Sequence, residues 1–179
     1  RSRAGFDRLI DEAGNYGQVV APLQNVCLVA GATMPMHYVV STALHQLDAW
    51  VRTGRRPPLT PRFRFEGGEL AHDADRNTLG GIRLAPIEVP VATYESTLCN
   101  LGGITVPFSD AEVQQRYGTF TRYQRLMARA ADRAVRAGWL LRPDARDQVR
   151  RVCEVRVRFP AGDRGRCTSG AYRPPRFGG

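Results

Sequence analysis

The clearest periodic signal in the chain covers residues 36–53, where Val39, Val40, Ala43, Leu44, Leu47, Trp50 and Val51 recur at steps of three and four. That spacing gathers them on one face of an amphipathic helix, which Gly54 stops. The run Arg55-Arg56-Pro57-Pro58 has no helix potential and predicts an extended connector over the surface. A second helical pattern covers 119–137. Its Phe120, Tyr123, Met127, Ala130, Ala131 and Ala134 form an inner stripe, while Arg122, Arg125, Arg129, Arg133 and Arg136 lie mostly outside and Gly138 caps the end. Just upstream, Ser109 followed by Glu112 is a capping box, which predicts a short helix over 110–117 with Phe108 and Val113 as the hydrophobic staple. Trp139-Leu140-Leu141 should then pack back on the core. Pro143-Asp144 starts a last short helix to about Val152, because proline is tolerated in the first turn.

Strand signals are shorter. Arg62-Phe63-Arg64-Phe65-Glu66 alternates polar with aromatic positions and predicts a half-buried strand, joined through Gly67-Gly68 to Glu69-Leu70-Ala71 as a hairpin. Residues 73–77 read as a second polar turn, and Gly80-Gly81 allow a close backbone approach. Over 82–91, Pro86 and Pro90 exclude a regular central strand, so an extended edge segment is expected. Near the start, Phe6, Leu9 and Ile10 fit a short helix over 1–12 that Gly14 and Gly17 end. Residues 19–29 are apolar but interrupted by Pro22, and read either as an irregular loop or as a poor strand.

With 179 residues and 42% apolar content the chain is large enough for one domain with a real core. It carries 26 Arg, no Lys and 17 acidic residues, a net charge of +9. The charge is unevenly placed: residues 150–179 hold eight Arg against Glu154 and Asp163, leaving 18 Arg against 15 acids in the rest. The body is therefore nearly neutral, and Arg without Lys looks like the codon bias of a GC-rich genome rather than selection for phosphate contacts. Beyond Cys153 the composition turns to Arg, Gly and Pro, which predicts a mostly disordered tail. No run of about 18 apolar residues marks a membrane span, and no apolar signal core follows the charged start. Because the first residue is Arg1 rather than Met, the chain is expected to be a fragment with an upstream part removed or unrecorded.

Candidate chemistry is sparse. Cys27, Cys99, Cys153 and Cys167 match no zinc-ligand spacing; Cys27 and Cys99, in loop-like apolar settings, are either a disulfide pair in an exported protein or buried free thiols. The nucleophile elbow G-x-S-x-G is absent, as are G-x-G-x-x-G, G-x-x-x-x-G-K-[ST] and H-E-x-x-H. His37 is either a general base facing a cleft or a partner for nearby backbone or carboxylate, and His45 is partly exposed or packed beside the core. His72, with Asp73 and Asp75, is a solvated cluster or a weak metal site. The Arg ridge of 119–137 reads as a solvated face, since Asp132 interrupts it and no aromatic residues interleave for base stacking. Arg156, Arg158, Arg164, Arg166, Arg173 and Arg176 of the tail are the better electrostatic candidate.

Several blocks resemble one family. His37-Tyr38-Val39-Val40, Ala43-Leu44, Leu47-Asp48-Ala49-Trp50-Val51, Gly54 and Pro57-Pro58 are similar to the final helix and exit loop of the α/β-hydrolase domain-containing proteins. So are Asp75-Arg76-Asn77, Leu79-Gly80-Gly81-Ile82-Arg83, Val89-Pro90-Val91-Ala92-Thr93-Tyr94, Cys99-Asn100-Leu101-Gly102-Gly103 and Val106-Pro107-Phe108-Ser109 to that family's C-terminal block. The helix start at 117–123, Gly138-Trp139-Leu140-Leu141 and Pro143-Asp144-Ala145 extend the likeness, which covers about 36–151. The resemblance implies an α/β fold, specifically the C-terminal part of an α/β-hydrolase fold, built of helices with a few short strands and long irregular connections. It also implies a serine esterase-like hydrolase whose triad runs Ser, acid, His.

The family's nucleophile and acid belong to a part that precedes these residues, and its catalytic His is expected shortly upstream of the His37 helix in an Ala-Gly-x-x-His setting. Residues 1–35 hold no such His, only the echoes Ala13-Gly14 and Ala30-Gly31, and His37 matches a position beside the helix start. No triad member is carried over, and no cofactor or metal ligand is assigned. The expected organisation is a poorly defined segment 1–35, a hydrolase C-terminal region 36–152 and a tail 153–179. The expected function is that of a C-terminal hydrolase portion, inactive alone, whose partner is the missing N-terminal part or a second copy. The alternative is a small basic binding protein using the Arg-rich tail on nucleic acid or an anionic surface. Nucleic acid is the disfavoured partner, and no membrane partner is expected.

Overall fold

Local capping chemistry sets most of the helix ends in the computed structural model, which describes residues 34–95 and 104–167. The chain forms two units, Met34–Thr93 with Pro107–Gly179, and Arg1–Thr33 with Tyr94–Val106. In the first unit, α1 (His37–Thr53) ends at Gly54, whose φ of 71° lets its N–H reach the Trp50 carbonyl at 2.8 Å. The periodicity of α1 is as expected, but its facing is not. Tyr38 and Thr42 are buried and Val39 is half-buried, whereas Val40, Leu44, Leu47, Trp50 and Val51 are between 46% and 78% exposed. The side turned inward carries polar groups that find partners: Thr42 donates to the Tyr38 carbonyl at 2.9 Å, and Gln46 donates to the Gly138 carbonyl.

Residues 55–60 run over the surface as an extended connector. The hairpin forms, but shorter than expected. β1 (Phe65–Glu66) pairs antiparallel with β2 (Glu69–Leu70), Phe65 opposite Leu70, and Phe63 and Phe65 are exposed rather than half-buried. The turn over 73–77 is built by Asp73, whose Oδ1 accepts the N–H groups of Asp75 and Asn77, both at 2.9 Å. The segment expected to be extended instead contains α2 (Ala85–Glu88). Pro86 lies in its first turn, where the missing N–H costs nothing, so the proline begins a helix rather than preventing structure.

α3 (Asp110–Tyr117) has the full capping box: Glu112 N–H donates to Ser109 Oγ at 3.2 Å, and Ser109 N–H donates to Glu112 Oε2 at 2.6 Å. Val113 is fully buried and Phe108 packs on the core. α4 (Phe120–Arg136) is capped by the Thr119 side chain and buries all six residues of its expected stripe, with the five arginines outside. Its end is a Schellman motif, with Gly138 N–H on the Val135 carbonyl at 3.0 Å and Trp139 N–H on the Ala134 carbonyl at 2.9 Å. α5 (Arg142–Arg151) follows and runs into 3-10 turns at Val152–Arg158 and Ala161–Asp163.

These turns correct the expectation of a disordered tail for residues 153–167. Phe159 is buried with its ring 6.0 Å from that of Phe120, and a disulfide joins Cys153 to Cys167. An Arg-rich composition does not prevent order when one aromatic residue docks in the core and a crosslink closes the loop that contains it. The core of this unit is Leu84, Val113, Phe120, Tyr123, Met127, Leu140 and Val149 with Phe159. β3 (Ala92–Glu95) and β4 (Ile104–Pro107) make a second two-stranded sheet. Of the other unit the structure describes residues 94–95 and 104–106, where Ile104 is buried and Tyr94 half-buried. The expected helix over 1–12, the segment 19–29, Cys27, Cys99, Arg173 and Arg176 lie outside the described residues.

Candidate functional site

A concentration of titratable groups lies where the head of α1, which carries His37, meets α5. The Tyr38 hydroxyl donates to Asp147 Oδ2, Arg151 Nε donates to the same oxygen at 2.8 Å, and Arg150 pairs with Oδ1. Burial pushes the Asp147 carboxyl up, but the hydrogen bonds from Arg151 and Tyr38 outweigh it and hold the group at about 2. Tyr38 moves the other way: burial and its bond to the Asp147 carboxylate push the phenol well above its ordinary range. It is therefore a hydrogen-bond donor and a poor nucleophile.

Asp144 lies one turn earlier on α5. Its carboxyl is raised by burial, lowered by its electrostatic interaction with His37 and raised by Asp147, with burial dominant. Its Oδ2 is buried without a hydrogen-bond partner among the described residues. His37 itself is exposed, with its ring 4.0 Å from that of Tyr38. His37 thus interacts electrostatically with Asp144 but forms neither an ion pair nor a hydrogen bond with it. Among the described residues no hydroxyl here is hydrogen-bonded to His37: that of Thr42 is spent on the helix backbone, and Ser41, one turn along α1 from His37, makes no such bond. Ser109, elsewhere in the unit, is spent on its capping box.

The other candidates are not drawn together. His45 is exposed on α1. His72 is exposed and bridges to Thr78, while the carboxylates beside it are committed to arginines: Asp73 to Arg83 at 2.6 Å, and Asp75 to Arg116 at 2.6 and 2.7 Å. Burial opposes the charge on Arg83, but Glu88 and Asp73 outweigh it and raise its pKa, so that these groups form a structural ion cluster. Among the described residues no group of His, Cys, Asp or Glu is arranged to hold a metal ion.

The arginines of the tail divide in use. Arg158 Nε donates to Asp110 at 2.7 Å, and its terminal nitrogens reach the carbonyls of Phe108 and Val91. Arg164 donates to the Phe159 carbonyl at 2.8 Å and Arg156 to the Gly165 carbonyl at 3.1 Å. These three cations hold the 3-10 segment in place. On α4, Arg136 pairs with Asp132 and Arg133 approaches Glu88 at 3.9 Å, leaving an exposed ridge with charge partly offset. The Cys153–Cys167 crosslink escapes sequence reasoning; the only signal for it is a separation of 14 residues, in a stretch whose composition argues for disorder.

Helices with short strands in long connections, and the blocks from Asp75 to Ala145, agree with the comparison by family. Residues 5–150 match a family model described as alpha/beta hydrolase domain, and the chain belongs to that family. No curated protein matches the chain, and no solved structure does. Among the described residues no helix is long and apolar enough to cross a membrane.

Proposed function

We propose that this chain is the C-terminal portion of an esterase-like α/β-hydrolase and that it does not hydrolyse esters alone. The observation that carries the reading is the outer face of α1, where Val40, Leu44, Leu47 and Val51 form a stripe of side chains each at least half exposed. A continuous apolar stripe on a surface helix marks a face that another element covers. In the hydrolase fold a helix of this kind packs against a sheet. The two sheets described here have two strands each and provide no such platform. The rest of a hydrolase domain is the partner that fits the stripe.

Inactivity follows from the chemistry that is present. An ester needs an activated nucleophile, and without the elbow G-x-S-x-G no serine is held on a strained turn beside a base. Among the described residues no hydroxyl is hydrogen-bonded to His37, and the one on the carboxylates of α5 is the Tyr38 phenol, a poor nucleophile. The alternative, a basic binding protein acting through its tail, draws less support because Arg156, Arg158 and Arg164 are engaged within the fold. The test is turnover of p-nitrophenyl acetate and butyrate by the purified chain. Hydrolysis at the buffer rate is expected. Turnover that a serine-directed inhibitor abolishes, or that His37→Ala removes with the fold intact, overturns the proposal.

A further inference from the structure

We propose that a cleft between the head of α1, the connector 60–65 and the segment 81–87 binds a linear apolar chain that ends in a carboxylate. The cleft has a volume of about 790 Å³ and walls formed by Met36, Val39, Phe63, Ile82, Leu84 and Ile87. That volume lies within the range of small-molecule sites, roughly 300–1,000 Å³, and the lining is of the apolar kind such sites use to hold a hydrocarbon body. Arg62 is the one charged residue among those that line it.

Among the described residues Arg62 shares its exposure and lack of an ion pair with Arg55, Arg56 and Arg64, but of these four it alone lines the cleft. Arg83, Arg116 and Arg158 are each paired with a carboxylate, whereas Arg62 is exposed and has no ion pair among the described residues. An unspent guanidinium at the edge of an apolar cleft complements a ligand with a planar anionic head, because its N–H groups meet both oxygens of a carboxylate. A cationic head is repelled there, and a neutral head leaves the strongest available contact unmade.

The backbone holds this arrangement in place. Gly81 N–H donates to the Pro61 carbonyl and Arg64 N–H to the Leu79 carbonyl, both at 3.1 Å, which fixes 61–64 against 79–81. Phe63 lies over Gly81 so closely that a Cβ there would be 2.6 Å from the ring Cε1. The missing side chain of Gly81 therefore seats the aromatic wall next to the cation. The binding reading does not depend on ester hydrolysis.

The test is calorimetric titration of the full chain with octanoate, dodecanoate, dodecanol and dodecyltrimethylammonium below their micelle concentrations, with sizing alongside. One dodecanoate per chain is expected. Burial of each added methylene should tighten binding about fourfold, so dodecanoate exceeds octanoate by about a hundredfold or more. It should also exceed dodecyltrimethylammonium by at least tenfold. Arg62→Glu should abolish the preference for dodecanoate over dodecanol without lowering the melting temperature, and Met36→Trp, which adds bulk from an exposed position, should weaken every ligand. The proposal is overturned if dodecanoate does not bind, if the ammonium compound binds as tightly, or if Arg62→Glu leaves the preference unchanged. A dimer that gives no heat with any ligand also overturns it and assigns the cleft to a second copy.

Discussion

Gly80 lies so close to the Arg62 carbonyl that a Cβ on Gly80 would stand 2.1 Å from that oxygen, and 2.8 Å from the Cα of Phe63. Both obstacles are backbone, which has no rotamer to swing aside, and the φ of 84° is itself unfavourable for an L side chain. Gly80→Ala must therefore separate the 61–64 and 79–81 segments. A loss of about 3 kcal/mol or more is expected. Gly67→Ala is the control, since nothing lies within 4 Å of that position and only the φ of 60° counts against it, about 1 kcal/mol. Denaturant unfolding of the two variants should separate them clearly, and equal losses would refute the steric account.

The Cys153–Cys167 disulfide closes a loop with a separation of 14 residues that contains the buried Phe159. Crosslinking a loop of that size stabilises by about 3 kcal/mol in the chain-entropy account. Reduction, or Cys153→Ser, should lower the unfolding midpoint accordingly and open 160–166 to proteolysis while α4 stays protected. A midpoint that does not respond to reductant would show that the packing of Phe159 and the bonds of Arg158 are sufficient alone.

The two carboxylates of α5 should respond to pH with opposite signs. Asp147 is held at about 2, below its ordinary 3.8, so its contribution is fully present above that ordinary value and is lost as the pH falls toward 2. Tyr38→Phe removes one donor to the charged group and should cost about 1.5 kcal/mol at pH 7, with a smaller loss in acid. Asp144 is raised above 3.8, so ionising it opposes folding, a cost that is absent in acid and complete above its folded pKa. Asp144→Asn should therefore raise the melting temperature at pH 7 and lose that advantage as the pH falls through the raised folded pKa toward 3.8. Melting curves of both variants from pH 2.5 to 7 check the signs.

The capping box gives a local test. Ser109→Ala removes the acceptor for the Glu112 N–H and leaves the Glu112 carboxylate with one donor fewer. A loss of about 1 kcal/mol is expected, visible as a lower denaturant midpoint with an unchanged slope.

What was legible in the sequence is what depends on near neighbours. Ser109 and Glu112 announce the start of α3, the stripe from Phe120 to Ala134 the buried face of α4, and Gly80-Gly81 the close approach to residues 61–63. Pro86 misled because one residue type both breaks strands and opens helices, and only the chain on either side decides between them. The facing of α1 was not legible at all. Its period is clear, but a helix with apolar residues on one side and Tyr38, Thr42 and Gln46 on another can turn either side inward, depending on which polar groups find partners. At the candidate site, His37 was visible as a residue type, whereas Asp144, whose carboxyl it influences electrostatically, comes from α5, more than a hundred positions away. The crosslinked 3-10 segment was hidden because composition reports average solubility and not the docking of one Phe159.

The proposed lack of an activated nucleophile is tested most directly by a fluorophosphonate probe, which reacts covalently with serines made nucleophilic by a neighbouring base. The chain has five serines, Ser2, Ser41, Ser96, Ser109 and Ser169. Incubated with excess probe and measured as intact mass, the native chain should gain no adduct beyond that of the heat-unfolded chain. A single stoichiometric adduct on one of these serines, absent when the chain is unfolded before incubation, would contradict the account.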